Sequence, residues 1–154
     1  MKLFSELPLS PALQSNLATH KFVQPTPVQA QAIPQQLAGH DLVITAQTGT
    51  GKTLAFVLPL LEKLLSDAKL LKNGAAPGVS ALILTPTREL AIQIAECFSK
   101  LAAGTGIRAA VVVGGLSEQT QLQTIRKGAQ VLIATPGRLS DFLARKLVKL
   151  AGVQ

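Results

Sequence analysis

Between Ala46 and Thr53 the chain reads AQTGTGKT, and these residue types at this spacing suit one task, holding a polyphosphate. Such an anion needs several backbone N–H groups converging on it with no side chains in the way, and Gly49 and Gly51 provide that access. Lys52 is the cation that would reach the outer phosphates, and the Thr53 hydroxyl is the group that would ligate Mg²⁺. The general pattern G-x-x-x-x-G-K-[ST] is kept in length and departs only at its first position, where Ala46 replaces glycine. The plainer alternative is a glycine-rich turn with an exposed lysine.

Two further segments carry similar chemistry. Arg88 in PTREL (Pro86 to Leu90) and Arg138 in TPGR (Thr135 to Arg138) fall at the expected first turns of helices, whose N-terminal amides bind phosphates. Thr87 and Thr135 add hydroxyl donors there. Contacts of this kind grip a backbone and read no bases. Helix capping is the alternative for each, and for Glu89 a partner to the helix dipole.

The elements that must position these groups follow from apolar runs and turn signals. Ser10-Pro11 and Thr26-Pro27 each pair a helix cap with a proline at the first helical position. The second of these helices runs from Val28 to Ile33, where Pro34 kinks or restarts it. Leu42-Val43-Ile44 reads as the strand before the loop, and Leu54 to Leu58 begins the helix after it, persisting through Leu64-Leu65 and bent by Pro59. Asp67 to Gly78, with Lys72-Asn73-Gly74 and Pro77-Gly78, reads as a surface connection.

Three more strands are expected at Ala81 to Thr85, Ala109 to Val113 and Val131 to Ala134. Between and after them lie a helix capped by Thr87 with apolar positions at Leu90, Ala91, Ile94, Ala95 and Phe98, a turn at Gly114-Gly115, a helix from about Ser117 to Arg126, and a last helix from Thr135-Pro136-Gly137 through Leu143. Four short strands alternating with amphipathic helices specify a doubly wound α/β domain with a parallel sheet and helices on both faces. Ligands bind such sheets at the carboxyl ends of the strands, so Gln47 to Thr53, Pro86 to Leu90, Gly114-Gly115 and Thr135 to Arg138 are expected along one edge.

At 154 residues and 47% hydrophobic content the chain suits one domain with a real core, and excludes a disordered one. Fifteen Lys and Arg against eight Asp and Glu leave a formal charge of +7, which favours a polyanionic partner, with a solvated basic surface as the bland alternative. Arg145, Lys146 and Lys149 read as a solvated helix face. Cys97 stands alone, so no disulfide framework or cysteine metal site is expected; it reads as a small buried hydrophobe. The N-terminal MKLFSELPLS lacks the apolar core of a targeting segment, and the expected setting is cytoplasmic.

PTPVQ at Pro25 to Gln29, AQTGTGKT, PTREL, Gly114-Gly115 and TPGR, in this order, resemble the first RecA-like domain of the DEAD-box ATP-dependent RNA helicases, from Phe4 to about Leu150. The resemblance implies that residues 1–154 are part of a helicase ATP-binding domain of bacterial type, with residues 4–29 forming the adenine-reading region. It implies an ATP and Mg²⁺ site built from Phe4, Phe22, Thr26, Gln29, Ala46, Gln47, Thr48, Gly49, Thr50, Gly51, Lys52 and Thr53, with Lys52 and Thr53 catalytic. Gln29 would read the adenine edge, since an amide donates and accepts in one plane, as N6 and N7 require.

It further implies that Pro86, Thr87, Arg88, Gly114, Gly115, Thr135, Pro136, Gly137 and Arg138 hold single-stranded RNA through its backbone. Lys21 departs from the family, standing where glycine is usual. The family's Asp-Glu-Ala-Asp strand, its Ser-Ala-Thr segment and its second RecA-like domain do not occur in this sequence. The expectation is an RNA-dependent ATPase and helicase when intact, and a 154-residue chain without useful turnover that is truncated before the acidic strand, marginal in stability and prone to association. A non-catalytic nucleotide- or RNA-binding module and an unrelated phosphate-loop enzyme, such as a small-molecule kinase, are the alternatives. PTPVQ and Phe4 argue against the kinase, which needs no such adenine reader.

Overall fold

Three of the four expected strands pair, and the order in which they do so sets the geometry of everything attached to them. The computed structural model describes residues 1–70 and 78–154, with the side chains of 68–70 outside the description. Strands β1 (Ala81–Leu84), β2 (Ala109–Val112) and β3 (Val131–Ala134) form a three-stranded sheet in the order β1-β3-β2. Both pairings are parallel, with Val131 opposite Ala81 on one side and Ala109 on the other. The last strand in sequence is thus the central one, and all four of its residues are buried, as an apolar run covered on both faces should be.

The helices are α1 (Pro11–Thr19), α2 (Pro27–Leu37), α3 (Lys52–Leu70), α4 (Arg88–Ala102), α5 (Glu118–Arg126) and α6 (Pro136–Ala144), with a single 3-10 turn at Phe4–Glu6. By contacts the chain divides into two units, Met1–Lys72 with Lys100–Gly106, and Asn73–Ser99 with Ile107–Gln154. The first holds α1, α2, α3 and the Ala46–Thr53 loop. Its buried residues include Phe4, Leu13, Leu17, Ile33, Leu58 and Leu61. The second holds the sheet, α5 and α6, around a core that includes Val112, Ala129, Leu132, Leu139 and Phe142.

Several expectations need correction. Leu42-Val43-Ile44 forms no strand, and Val43 is 98% exposed. A strand exists only through its ladder, and this segment has no hydrogen-bonded partner strand among the described residues. In place of a ladder, Leu42, Val43, Ile44 and Thr45 face Pro27, Val28, Gln31 and Ala32 of α2 across an open cavity of about 420 Å³. The helix after the loop runs past Leu65 to Leu70, so Asp67 is helical and pairs with Lys63 one turn back at 3.9 Å. The expected connection at Lys72-Asn73-Gly74 and Pro77 lies outside the described residues. Cys97 is half-buried rather than fully buried.

Proline inside α3 is accommodated by a side chain from α2. Pro59 has no N–H, so the carbonyl four residues earlier, on Ala55, loses its helical donor. Gln36 Nε2 takes that place, donating to the Ala55 carbonyl at 3.0 Å. The N-cap Ser10 does not close its own helix with its hydroxyl; it is turned to Glu62 of α3, whose carboxylate accepts from Ser10 N–H at 2.7 Å and from Ser10 Oγ at 2.9 Å.

Helices α1 and α6 end alike. In both, the residue after the C-cap has a left-handed backbone, φ +59° at Lys21 and +56° at Lys146, where glycine is the residue without a steric cost. The six-to-one bond that defines this ending runs from Phe22 N to Leu17 O at 2.8 Å, and from Leu147 N to Phe142 O at 2.9 Å. The departure from glycine at Lys21 therefore leaves the local shape intact.

Candidate nucleotide and nucleic-acid site

Thr26 and Gln29 open α2 as a reciprocal cap. The Gln29 amide oxygen accepts from Thr26 N–H at 2.9 Å, and Gln29 N–H donates to Thr26 Oγ1 at 3.5 Å. Both side chains also reach the Ala46–Thr53 loop. Thr26 Oγ1 donates to the Thr50 carbonyl at 2.8 Å, and Gln29 Nε2 to the Gly51 carbonyl at 3.1 Å. Gln29 is only 5% exposed, and burial without these partners would be costly.

The loop itself needs its glycines. Gly49 and Gly51 have φ of +79° and +86°. At Gly51 there is also no room, since an added Cβ would stand 2.3 Å from Gln29 Nε2 and 3.3 Å from Thr26 Oγ1. Ala46 has no left-handed backbone, so a side chain there meets no such strain. Lys52, the first residue of α3, folds back to donate to the carbonyls of Ala46 and Gln47, the latter at 2.9 Å. Thr50 Oγ1 closes the turn by donating to the Gln47 carbonyl at 2.7 Å. Thr48 lies within this turn, and Thr53 follows Lys52 in the first turn of α3.

Of the two expected aromatics, Phe4 is 2% exposed and belongs to the core, its N–H donating to the Val23 carbonyl at 3.1 Å. Phe22 is half-buried.

In the second unit, three expected segments leave the carboxyl ends of adjacent strands. The ladder continues past the strands through Thr85 N–H to Ala134 O at 2.9 Å and Thr135 N–H to Val112 O at 3.1 Å. Thr85, Thr135 and Val113 are thereby held level, and Pro86-Thr87-Arg88, Pro136-Gly137-Arg138 and Gly114-Gly115 project from one sheet edge.

Thr87 caps α4, its Oγ1 accepting from Leu90 N–H at 3.2 Å, while Thr135 makes no such capping bond with its hydroxyl. Gly115 has φ +77°, and a Cβ on it would meet Arg88 Nη1 at 2.6 Å, so the exposed guanidinium lies directly across the glycine turn. Arg138 is half-buried, its guanidinium 5.6 Å from the centre of the Phe142 ring.

Arg145 is not merely solvated. It binds Glu118 at 2.6 Å and Asp141 at 3.0 Å. The hydrogen bond from Arg145 is the main reason the Glu118 carboxyl is held below its ordinary value of 4.5, burial opposing it and the charges of Arg145 and Arg138 assisting. The same two carboxylates raise the Arg145 pKa.

Sequence reasoning missed two glutamines. Gln121 is 6% exposed and lies in α5 beside the glycine turn, and Gln36 serves Ala55. An internal proline signals an orphaned carbonyl and so calls for a partner such as Gln36; for Gln121 the available signal is a polar residue in a short helix that follows a glycine pair.

Residues 26–154 match the family model described as DEAD/DEAH box helicase. The fold is similar to the crystal structure of a DEAD box protein from the hyperthermophile Methanococcus jannaschii, 33% identical, with a TM-score of 0.85 over 100% of this chain and 40% of that one. It is also similar to that of a hypothetical ATP-dependent RNA helicase from Sulfolobus tokodaii, 30% identical, with a TM-score of 0.80 over 94% of this chain and 40% of that one. The parallel sheet flanked by helices is thus of the RecA-like kind, and the chain, spanning about 40% of the length of either protein, belongs to the DEAD/DEAH box helicase family.

Proposed function

We propose that this chain is the ATP- and RNA-binding N-terminal portion of an ATP-dependent DEAD-box RNA helicase. The observation that carries the reading is the double tie from Thr26 and Gln29 to the carbonyls of Thr50 and Gly51, which registers an adenine reader to a phosphate loop. Gln29 spends one of its two amide donors and one of its two lone pairs internally, leaving one of each for adenine N7 and N6. Phe4 fixes the backbone at Val23, and the half-buried ring of Phe22 is left to meet the base.

The loop fits a triphosphate. Its glycines carry no side chain to block an anion before the N-terminus of α3, and Lys52 would exchange the carbonyls of Ala46 and Gln47 for phosphate oxygens. Mg²⁺ would arrive with the nucleotide, held by the phosphates and the Thr53 hydroxyl. When bound, it neutralises charge on the transferred phosphoryl group.

At the sheet edge, Arg88, Arg138, Thr87, Thr135 and the amides beside them grip successive RNA phosphates, while Pro86, Gly114, Gly115, Pro136 and Gly137 let the backbone approach. Such contacts carry no sequence preference. The basic balance, +7 overall, adds long-range attraction, and a reducing, cytoplasmic setting, which suits the lone Cys97, is part of the same proposal.

This chain alone does not turn over ATP, since it contains no Asp-Glu-Ala-Asp segment to hold metal and water. Titration with fluorescent ADP and GDP tests the reading. ADP binds and GDP does not; Lys52→Ala and Gln29→Ala each weaken ADP by roughly tenfold. Equal binding of ADP and GDP would instead identify a generic phosphate-loop protein, and RNA-stimulated hydrolysis by the purified chain would overturn the claim of inactivity.

A further inference from the structure

Gln121 is one of four buried polar residues among the described residues, and it lies outside the nucleotide and RNA contact sets. Its amide spans two parts of the sheet edge. Nε2 donates to the Val113 carbonyl at 2.9 Å, immediately before the glycine turn, and Oε1 accepts from Arg138 Nη1 at 3.4 Å. The Arg138 guanidinium also lies over the Phe142 ring, 5.6 Å from its centre.

We propose that Gln121 is a positioning residue for nucleic-acid binding, orienting the Arg138 guanidinium and the Gly114-Gly115 turn as one unit toward an RNA backbone. The inference rests on the RNA-binding reading above. An arginine on an exposed helix start has many rotamers, and fixing one before the phosphate arrives lowers the entropy lost on binding. Gln121 and Phe142 both restrain it while consuming one of its five N–H donors.

The choice of an amide matters. A carboxylate at this position would neutralise the Arg138 charge and would set an oxygen, with no hydrogen to donate, against the Val113 carbonyl. An apolar side chain would leave that carbonyl without its side-chain donor and the guanidinium loose. Only a group that donates at one end and accepts at the other serves both neighbours without adding a negative charge beside the arginine.

The test is a binding cycle on this chain with a fluorescent single-stranded oligouridylate, comparing wild type, Gln121→Leu, Arg138→Ala and the double variant. Gln121→Leu is expected to raise Kd about fivefold in the wild-type background and by less than about 1.5-fold when Arg138 is already alanine. Losses that multiply in the double variant overturn the proposal. Gln121→Glu keeps the volume and is expected to weaken RNA about as much, so an unchanged Kd for that variant counts against it, and this variant decides should Gln121→Leu fail to fold.

The nitrogen resonance of the Arg138 side chain, recorded without RNA, separates the two readings. If wild type binds no RNA, the function reading fails, and a resonance that does not change on substitution of Gln121 also rules out the positioning role. A resonance that shifts or broadens in the Gln121 variants supports the hold on Arg138 whatever the RNA result.

Discussion

Gln29 Nε2 donates to the Gly51 carbonyl at 3.1 Å, and the same nitrogen stands 2.3 Å from the place a Gly51 side chain would occupy. The contact that ties α2 to the Ala46–Thr53 loop therefore leaves no space for a Cβ at the loop's last glycine unless the Gln29 amide gives up its place. Gly51→Ala is expected to cost at least about 1–2 kcal/mol from its φ of +86° alone and more from the collision. Adding Gln29→Ala relieves the collision but not the backbone strain. Chemical denaturation should then show the double variant less destabilised than the sum of the two single changes.

Replacing the lysines at the two left-handed helix ends should stabilise the protein. Lys21→Gly and Lys146→Gly each remove a Cβ from a backbone with φ near that of a left-handed helix, and each is expected to gain about 0.5–1 kcal/mol. Urea unfolding midpoints check this; an unchanged or lowered midpoint for both would count against the account of the helix endings.

Gln36 and Pro59 form a testable pair. Gln36→Ala should cost about 1–2 kcal/mol by leaving the Ala55 carbonyl without a donor. In a Pro59→Ala background the restored N–H serves that carbonyl, and the same substitution should cost markedly less. Equal costs in both backgrounds, measured by thermal melting, would mean that Gln36 contributes by packing alone.

The Glu118–Arg145 pair predicts a pH dependence with a definite sign. The folded-state carboxyl of Glu118 lies below its unfolded value of 4.5, so its contribution is complete above that value and is lost as pH falls through the folded one. Arg145→Ala should thus lower the melting temperature slightly at neutral pH, and the gap should close in acid. Because the pair is exposed, the gap should be small and should shrink in high salt.

Much of this was legible in the residues. The runs at Ala81, Ala109 and Val131 were short, apolar and bounded by turn signals, so they paired as strands within a residue of the expected ends. Leu42-Val43-Ile44 is as apolar and does not pair among the described residues, because pairing is a property of two segments and cannot be read from one alone. The cap at Thr26 was legible from its proline and spacing, but its second bond to Thr50 was not, since nothing local encodes a partner 24 residues away. Gln121 was hidden for the same reason: its burial depends on Val113 and Arg138 arriving beside it.

The place of β3 at the centre of the sheet also sets a timetable for folding. β1 and β2 do not touch each other's backbone, so no ladder can start until the chain has been made as far as Val131. The β2–β3 pairing closes a loop less than half as long as the β1–β3 pairing, which favours it by about 0.6 kcal/mol or slightly more in closure entropy. On a ribosome, the glycine turn and Arg138 would be brought together before Arg88 is added to the edge, and β1 would wait longest with its apolar residues uncovered.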